Sequence, residues 1–359
     1  MLFDSLNSRC GLAGLAAVLL FPVAAAAGDA VELKPKFPAG RRQYVEVSMD
    51  ALQVVDGPMA PGGHVEVKVK QVSGVMEKVA ASSKDGAKLV LSYVRRGLSF
   101  DVPMMGKLHY DSDMPGEDDS PYVKQMFAPV IGMATTMELD ASPKVKSFSG
   151  MDAILKKVQA SAAGNPLFPQ FKSGFTNDAE KQVWGDKRWA FLPEHPVKTG
   201  ETWTRRREND LPQIGKLVSN FNCKLDRVSE SNGHKLAMIS FTGTVARPEG
   251  ADKSKQTGVS GMKVSDGTIK GSAAFDLNAG QIVDQTRDTT MTFTAPSPGG
   301  PKGKPTKITV TTKETIIVRT PAEREKLKQE NLAKAEAEAK AKKAEADKAK
   351  SKKAETDSK

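Results

Sequence analysis

Residues 77–91, EKVAASSKDGAKLVL, decide the fold. They set the pair Asp85-Gly86 between two apolar runs. Asp-Gly in this setting is a strong hairpin signal, because both central residues of a type I′ turn need positive φ. Upstream, residues 65–70 (VEVKVK) alternate apolar and polar side chains, a period that places one face of a strand on a core. The stretch therefore predicts a long antiparallel hairpin.

A second stretch, residues 226–238 (DRVSESNGHKLAM), repeats this pattern, with Val228 matching Val79 of the first stretch. Both stretches have the same order of residue types: an acidic residue, a basic residue, Val, a polar gap, Asp or Asn, Gly, any residue, Lys and Leu. Further matches keep the same order along the chain: residues 37–44 with 195–203, and residues 139–145 with 275–282. Several matches in one order indicate an internal repeat and thus two similar halves.

We therefore predict a mainly β (α+β) fold, with long antiparallel curved sheets in two similar halves, a short helical insertion and a charged C-terminal tail. The predicted segments are a signal peptide (1–27), a first β half (28–148), a helical insertion (149–192), a second β half (193–320) and a Lys/Ala/Glu-rich tail (321–359).

Two helix starts are predicted inside the insertion. Ser149 followed by Asp152 fits a Ser-x-x-Asp capping arrangement, and an apolar stripe at helical spacing follows it. A second helix is expected to start near Asn177. We expect these helices to cover an open face or edge of the sheet, and lining a groove is the alternative.

The last segment, from Pro321, is rich in Ala, Lys and Glu. These residues favour a helix, but no apolar stripe is present to bury. We expect either a solvated, fraying helix or a disordered tail, and not a coiled coil, which needs apolar a and d positions.

The N-terminus has the three parts of a secretory signal peptide: Arg9, an apolar run over 11–23 and small residues up to Ala27. We predict cleavage after Ala27, with Ala30 as a second possibility and an uncleaved anchor as the alternative. No later segment is apolar enough to cross a membrane. The protein is thus expected to be periplasmic or secreted.

Cleavage would remove Cys10 and leave Cys223 without an intramolecular partner for a disulfide. The net charge of +10 would suggest nucleic acid in a cytosolic protein, but export argues against that partner. An anionic envelope polymer is the more suitable partner for the charge. We expect the arginine clusters at 41–42, 95–96 and 205–207 to lie on solvated strand and loop faces.

Residues 109–122, HYDSDMPGEDDSPY, resemble a calcium loop in having Asp111, Asp113 and Asp119 at ligand positions. However, Pro115 and Tyr122 occupy positions where ligands are required. Met-Pro-Gly is also an ordinary turn sequence. We therefore interpret the stretch as an acidic surface turn, with a weak cation site as the alternative.

No catalytic or cofactor signature is present in the sequence. The four histidines, at 64, 109, 195 and 234, lack metal-site spacing, and no phosphate-binding Gly loop is found. Cys223 on a presumed strand is more typical of a small buried residue than of a nucleophile. We expect neither an enzyme nor a bound cofactor. A hydrolase whose catalytic residues are far apart in the sequence is the least favoured hypothesis.

The three tryptophans, Trp184, Trp189 and Trp203, lie close together in the chain. Aromatic side chains commonly line pockets for apolar ligands, which makes these residues candidates for ligand binding. The competing interpretation, which we favour, is a core at the junction of the halves.

Residues 192–203, LPEHPVKTGETW, resemble a segment of uncharacterised secreted β-rich bacterial proteins, Leu-Pro…Pro-Val-Lys-x-Gly-[Asp/Glu]-x-Trp. Residues 110–112 and 150–152 look similar too, and the likeness covers most of 35–320. The resemblance implies a β-rich exported domain and no assigned activity. A more distant architectural likeness is to the lipoprotein-localisation factors, which hold acyl chains against a curved sheet with a helical cover.

These observations favour an exported, non-catalytic binding module whose ligand, an apolar or amphiphilic molecule such as a lipid, lies on the concave sheet face. The alternative is an envelope scaffolding protein that contacts the cell wall or another protein through its basic surface and tail.

Overall fold

The computed structural model describes residues 29–102, 106–142, 144–186, 188–211, 215–231, 233–248, 263–296 and 303–357. The predicted signal peptide, residues 1–27, lies outside the described residues. Within them, no helix is both long and apolar enough to span a membrane.

Twelve strands make up most of the structure. They are β1 (Arg42–Asp56), β2 (His64–Ser83), β3 (Gly86–Val102), β4 (Gly106–Asp111), β5 (Ala134–Asp140), β6 (Val145–Ser149), β7 (Thr202–Leu211), β8 (Gly215–Ser231), β9 (His234–Ala246), β10 (Lys263–Asp276), β11 (Gln281–Ala295) and β12 (Thr306–Arg319). The prediction of a mainly β fold is confirmed.

All twelve strands belong to one antiparallel sheet with the order β6-β5-β3-β2-β1-β12-β11-β10-β9-β8-β7, and β4 pairs with β3 off this path. Strands β1 to β6 run from the centre of the sheet to one edge, and β7 to β12 run from the other edge back to the centre. The two halves meet where β1 pairs with β12, from Tyr44–Arg319 to Asp56–Lys307.

The hairpins of the two halves share a hydrogen-bonding pattern. Gly40 N–H donates to the carbonyl of Val79 (2.9 Å), and Gly200 N–H donates to the carbonyl of Leu225 (2.7 Å). A β-bulge follows Val79 in β2 and Leu225 in β8. Val79 therefore corresponds to Leu225, which lies three residues before the Val228 of the sequence match.

A second shared feature lies at the next hairpin of each half. Leu139 pairs with Val145 beside a register shift, and Phe275 pairs with Ile282 beside a register shift at the same place. This position agrees with the sequence match. The two meanders thus repeat one arrangement of turns and bulges.

The sheet curls on itself. Its edge strands β6 and β7 would lie roughly 50 Å apart in a flat sheet, because neighbouring strands are spaced by about 4.8 Å. Instead, the turn between β5 and β6 and strand β7 line one cleft. Val75 of the first half and Phe241 of the second belong to one cluster of buried side chains. We call the face that carries Val45, Val75 and Phe241 the inner face, and the opposite face, with Tyr44 and Glu46, the outer face.

Short helices lie against the inner face. They are α1 (Pro121–Phe127), α2 (Met151–Ser161), α3 (Phe168–Phe171) and α4 (Asn177–Lys181). Together with residues 182–192 we call them the cover. Phe171 stacks on Phe100 of β3, with ring centroids 5.6 Å apart, and Phe191 stacks on Phe241 of β9 at 4.9 Å. The cover therefore fills one end of the curled sheet.

The predicted cap of α2 is wrong. Gly150 occupies the N-cap at φ 106°, and no side chain of the cap residue binds the helix. Met151 N–H instead donates to Asn177 Oδ1 (3.2 Å), which lies at the start of α4. That second helix starts where predicted, and Thr176 caps it by accepting from Ala179 N–H. A hydrogen bond thus connects the first residues of α2 and α4.

Two buried carboxylates hold the cover to the sheet. Glu180 of α4 accepts hydrogen bonds from Arg96 (2.7 Å) and Tyr93 (2.8 Å) of β3. Glu77 of β2 accepts one from Arg188 of the cover (2.7 Å). Burial, reinforced by the charge of Glu180, raises the pKa of Tyr93. These contacts orient the cover, because a buried charge needs its partner in place.

The C-terminal segment is helical, which supports the first of the two expectations for it. Helix α5 (Pro321–Asp357) begins with a capping box in which Thr320 Oγ1 accepts from Glu323 N–H and Glu323 accepts from Thr320 N–H. Arg324, 6% exposed, anchors its first turn to the outer face. The guanidinium lies over the Tyr44 ring, 4.8 Å from its centroid.

Candidate functional site

The predicted aromatic residues lie in different surroundings. Trp184, Trp189 and Trp203 are all buried and belong to the core cluster. Trp184 Nε1 donates to Glu180 (2.5 Å), and Trp203 Nε1 donates to the Phe191 carbonyl (2.8 Å). Trp189 lines the cleft between the sheet edges, so it is the member of the three best placed to meet a ligand there.

That cleft, which we call the seam cleft, has a volume of about 790 Å³. It is lined by parts of residues 32–35, 141–144, 189–195 and 204–208. Volumes of this size suit a small organic ligand. The prediction of a ligand on the concave face did not identify this position, because the cleft exists only where the two edges of the curled sheet approach each other.

Cationic side chains predominate on the rim of the seam cleft. Arg205, Arg206 and Arg207 of β7, together with Lys34 and Lys144, face three carboxylates, those of Glu32, Glu194 and Glu208. The hydrogen bond and charge of Arg205 lower the pKa of Glu194, and Lys144 and His195 lower it further. An ionised Glu194 beside arginine is suited to ion pairing and not to donating a proton as a general acid.

Apolar residues form the wall of the seam cleft. Leu33, Trp189 and Leu192 are buried and lie on the core side. Leu33 reaches this place because the chain before β1 is tied to the cover side by an antiparallel bridge between Val31 and Val197. The cleft therefore combines an apolar wall with a basic rim.

The end of the inner face away from the cover carries a second apolar surface, which we call the open-end patch. It consists of Val55, Val65, Val67, Met291, Ile308 and Val310, all partly exposed. They lie in two adjacent rows, because Val55 pairs with both Val65 and Ile308, and Met291 pairs with Val310. Apart from Gln53, which lies between Val67 and Val310, this part of the concave face is apolar, and its side chains remain partly exposed.

The outer face of the same four strands differs sharply. It presents mainly lysine, threonine and carboxylate side chains, including Lys68, Lys70, Lys307 and Lys313. Such polar side chains are typical of a solvent-exposed sheet face, whereas an apolar face is normally packed against another layer. The contrast marks the open-end patch as a surface with a missing covering.

The acidic stretch at 109–122 is a surface turn, as predicted, only in its middle, where residues 115–118 are exposed, and its first two aspartates are buried. Asp111 and Asp113 are 7% and 2% exposed. Asp111 accepts from Arg95 (2.8 Å), and Asp113 accepts from Arg324 (2.9 Å), which holds the first turn of α5. The arginines neutralise these carboxylates, and they come from positions that the sequence of the stretch cannot reveal.

The third candidate for cation binding, Asp119, has its Oδ1 atom buried without a hydrogen-bond partner. Among the residues that the structure describes, no group of three or more His, Cys, Asp or Glu side chains could hold a metal ion.

The expected solvated face at 95–96 is also wrong. Arg95 pairs with Glu46 (2.9 Å) and Asp111 (2.8 Å), and Arg96 is 4% exposed and paired with Glu180. Burial alone would lower the pKa of Arg96, but the charge of Glu180 raises it. Arg-Arg in the sequence therefore marks two ion pairs on opposite faces of one strand.

Cys223 is buried, and two of the candidate histidines are paired with aspartates. Burial raises the pKa of the Cys223 thiol to about 12, which keeps it protonated and unreactive at neutral pH. His234 Nδ1 lies 2.6 Å from Asp276 Oδ2, and His64 Nδ1 lies 2.7 Å from Asp56 Oδ1.

A family model matches residues 84–282, more than half of the chain. The chain belongs to this family of unknown function, DUF6263. The match spans β3 through the start of β11, so the DUF6263 region includes the cover, most of the second half and three of the four segments that line the seam cleft. No curated protein matches this DUF6263 chain.

Solved structures give distant matches to this DUF6263 protein, each 8% identical. A lipovitellin described for its lipid–protein interactions has a TM-score of 0.42, and the match covers 79% of this chain but only 25% of lipovitellin. DynF from the dynemicin biosynthesis pathway of Micromonospora chersina has a TM-score of 0.19, with 83% and 89% covered. An outer membrane channel from Pseudomonas putida F1 has a TM-score of 0.20, with 79% and 97% covered.

Proposed function

We propose that the protein is an exported, non-catalytic binding module that holds an apolar or amphiphilic molecule on its concave inner face. The observation that carries this proposal is the open-end patch. Six apolar side chains there are partly exposed, although the outer face of the same strands is polar. Covering such a surface contributes roughly 25 cal/mol per Å² of apolar area.

The shape of the surface favours a slender ligand over a protein partner. The patch lies inside a curled sheet and spans only the four central strands β2, β1, β12 and β11. A stable protein interface needs about 800 Å² on each partner, which six partly exposed side chains in a concavity do not supply. An alkyl chain can enter such a concavity from the open end.

A binding titration tests this proposal. We expect the protein to bind a fluorescent neutral monoacylglycerol saturably. Val55→Lys, on the inner face of β1, should weaken binding by about tenfold or more, because a charge would enter the apolar site. Val54→Lys is the matched control, since Val54 is also partly exposed but points to the outer face.

Circular dichroism and thermal melting would establish that both variants fold. If Val55→Lys does not fold, the milder Val55→Thr takes its place. Absence of saturable binding, or equal weakening in the two lysine variants, would refute the proposal. A concentration-dependent dimer that Val55→Lys dissolves would show instead that a second copy covers the patch. Lipid recovered in an organic extract of the purified protein would support the proposal further.

A scaffolding role is the second candidate, and the length of α5 favours it. This helix has 37 residues and is anchored in its first turn, and most of its described side chains after Arg324 are exposed. Residues 321–357 carry eleven basic and nine acidic side chains, so their charge is nearly balanced. Such a helix suits a protein partner or a spacer better than an anionic polymer.

Truncation after Leu327 tests the second candidate, because it keeps the Arg324 anchor and removes the rest of the helix together with its ion pair between Lys342 and Asp118. A scaffold predicts that pelleting with envelope material is lost on truncation while monoacylglycerol binding persists. Unchanged pelleting would exclude a role for the helix.

A further inference from the structure

We propose that the seam cleft is a separate binding site for an organic anion with an apolar body, such as an aryl or alkyl carboxylate. This inference does not depend on the open-end patch. It stands on the combination of a basic rim and an apolar wall in one cleft of about 790 Å³.

Arg205 provides the recognition group. Its only described carboxylate partner, Glu194, is 75% exposed, and its Nε atom is buried without a hydrogen-bond partner. A guanidinium presents its donors in a fixed planar fork that matches a carboxylate with two parallel hydrogen bonds. A ligand carboxylate can therefore replace the exposed Glu194 side chain and also accept a hydrogen bond from Nε, which has no partner now.

The surroundings of Arg205 favour a negative ligand and disfavour a neutral one. Lys144 approaches from the turn between β5 and β6, on the opposite side of the seam. Because the two edges of the sheet each contribute cations, the positive potential is concentrated in the cleft between them. Two separate segments of the chain thus act on one anion.

The apolar wall defines the rest of the ligand. Leu33, Trp189 and Leu192 lie on the core side of the cleft, where a ring or short alkyl chain can pack once its acidic group meets Arg205. Pockets of this kind bury most of a small ligand against apolar side chains and orient it with a few polar groups. An inorganic anion would use the rim alone.

Isothermal titration calorimetry with 4-phenylbutyrate and its neutral amide, 4-phenylbutanamide, tests the site. We expect the carboxylate to bind about tenfold more tightly than the amide, the effect of one charge-assisted hydrogen bond. Arg205→Gln should remove this difference. Glu194→Gln should strengthen carboxylate binding, because the competing side chain loses its charge. Arg227→Gln, an exposed arginine on β8 outside the cleft, is the matched control.

The opposite effects of the two cleft variants separate binding from misfolding, since a damaged fold cannot increase affinity. Equal binding of carboxylate and amide, or an unchanged preference in Arg205→Gln, would overturn the proposal, as would the absence of binding by either compound. Benzylphosphonate in a parallel titration distinguishes a phosphoryl-selective from a carboxylate-selective site. A monoacylglycerol titration that succeeds while these fail would leave the inner-face proposal intact.

Discussion

In the first half, Gln43 and Glu77 are paired across β1 and β2, and Glu77 binds Arg188 of the cover. In the second half, Trp203 and Cys223 occupy the matching positions across β7 and β8. The match follows from the backbone. Gln43 lies three residues after Gly40 and Trp203 three residues after Gly200, and each glycine N–H donates a hydrogen bond to the strand that carries the bulge.

One sheet position is thus connected to the cover by a buried ion pair in one half and by aromatic packing in the other. The indole of Trp203 bonds to the Phe191 carbonyl, and Phe191 stacks on Phe241. A buried ion pair offsets a large desolvation cost and adds little net stability, but it penalises any wrong placement of the cover. The aromatic contact stabilises mainly by burial. The comparison teaches that repeated strands can keep a backbone arrangement while exchanging its chemistry.

Removing one charge from the first half should have the largest effect. Glu77→Ala leaves Arg188 buried without its carboxylate and is expected to lower the free energy of unfolding by about 3–5 kcal/mol. Urea unfolding monitored by tryptophan fluorescence would measure this. The double variant Glu77→Leu/Arg188→Met should recover most of the loss, because an apolar pair needs no desolvation of charge. A cost below about 1 kcal/mol for Glu77→Ala would show that the ion pair does not hold the cover.

The second half should respond less to a comparable change. Trp203→Phe keeps an aromatic ring but removes the N–H donor of the Phe191 carbonyl, at an expected cost of about 1–3 kcal/mol. Thr202→Ala, an exposed neighbour on β7, should change the free energy of unfolding by less than about 0.5 kcal/mol. A loss for Trp203→Phe equal to that of Glu77→Ala would contradict the contrast between the halves.

The smallest effects concern the matching turn aspartates, Asp140 and Asp276. Burial alone would raise the pKa of Asp276, but hydrogen bonds from Ala279 N–H and His234 outweigh it and lower the pKa. The pKa of Asp140 is also lowered, against the effect of burial, by bonds from Lys144 and Ser142. Asp276 is 2% exposed, whereas Asp140 is partly exposed, so Asp276 should matter more.

Each folded pKa lies below its unfolded value of about 3.9, so each contribution to stability is complete above that value. It is lost as the pH falls through the folded pKa. Asp276→Asn should cost about 1–2 kcal/mol at pH 7 and progressively less on acidification, and Asp140→Asn under about 1 kcal/mol. Unfolding curves between pH 2 and 7 would measure both. A pH-independent cost in Asp276→Asn would contradict this account.

Local features of the fold could be predicted from the sequence. The hairpin between β2 and β3 follows from the local Asp-Gly signal, although its two loop residues are Lys84 and Asp85 and Gly86 already pairs with Ser83. The start of α4 near Asn177 follows from a short polar stretch. The match between residues 139–145 and 275–282 also follows from local patterning, because a bulge and a tight turn occupy only a few residues.

The contacts that organise the interior could not be predicted. Asp113 pairs with Arg324, and Glu77 pairs with Arg188. The partners are far apart in the sequence, so local sequence patterns do not indicate these pairs. The seam cleft was missed for the same reason, since four separate segments build it only after the sheet has curled. A charged residue between apolar residues of the same strand face, Glu77 between Val75 and Val79, was the available signal of a buried pair.

The strand order has a further consequence for how the chain reaches its final form. The two middle strands join residues near position 44 to residues near position 319. The chain must extend to about residue 319 before β1 can meet β12, and closing so long a loop is slow because its entropy must be lost before the contacts form. Until then β1 has an open edge, which invites pairing with other chains. The outlying hairpins, whose strands are neighbours in the chain, can therefore form early, while the middle of the molecule waits for β12.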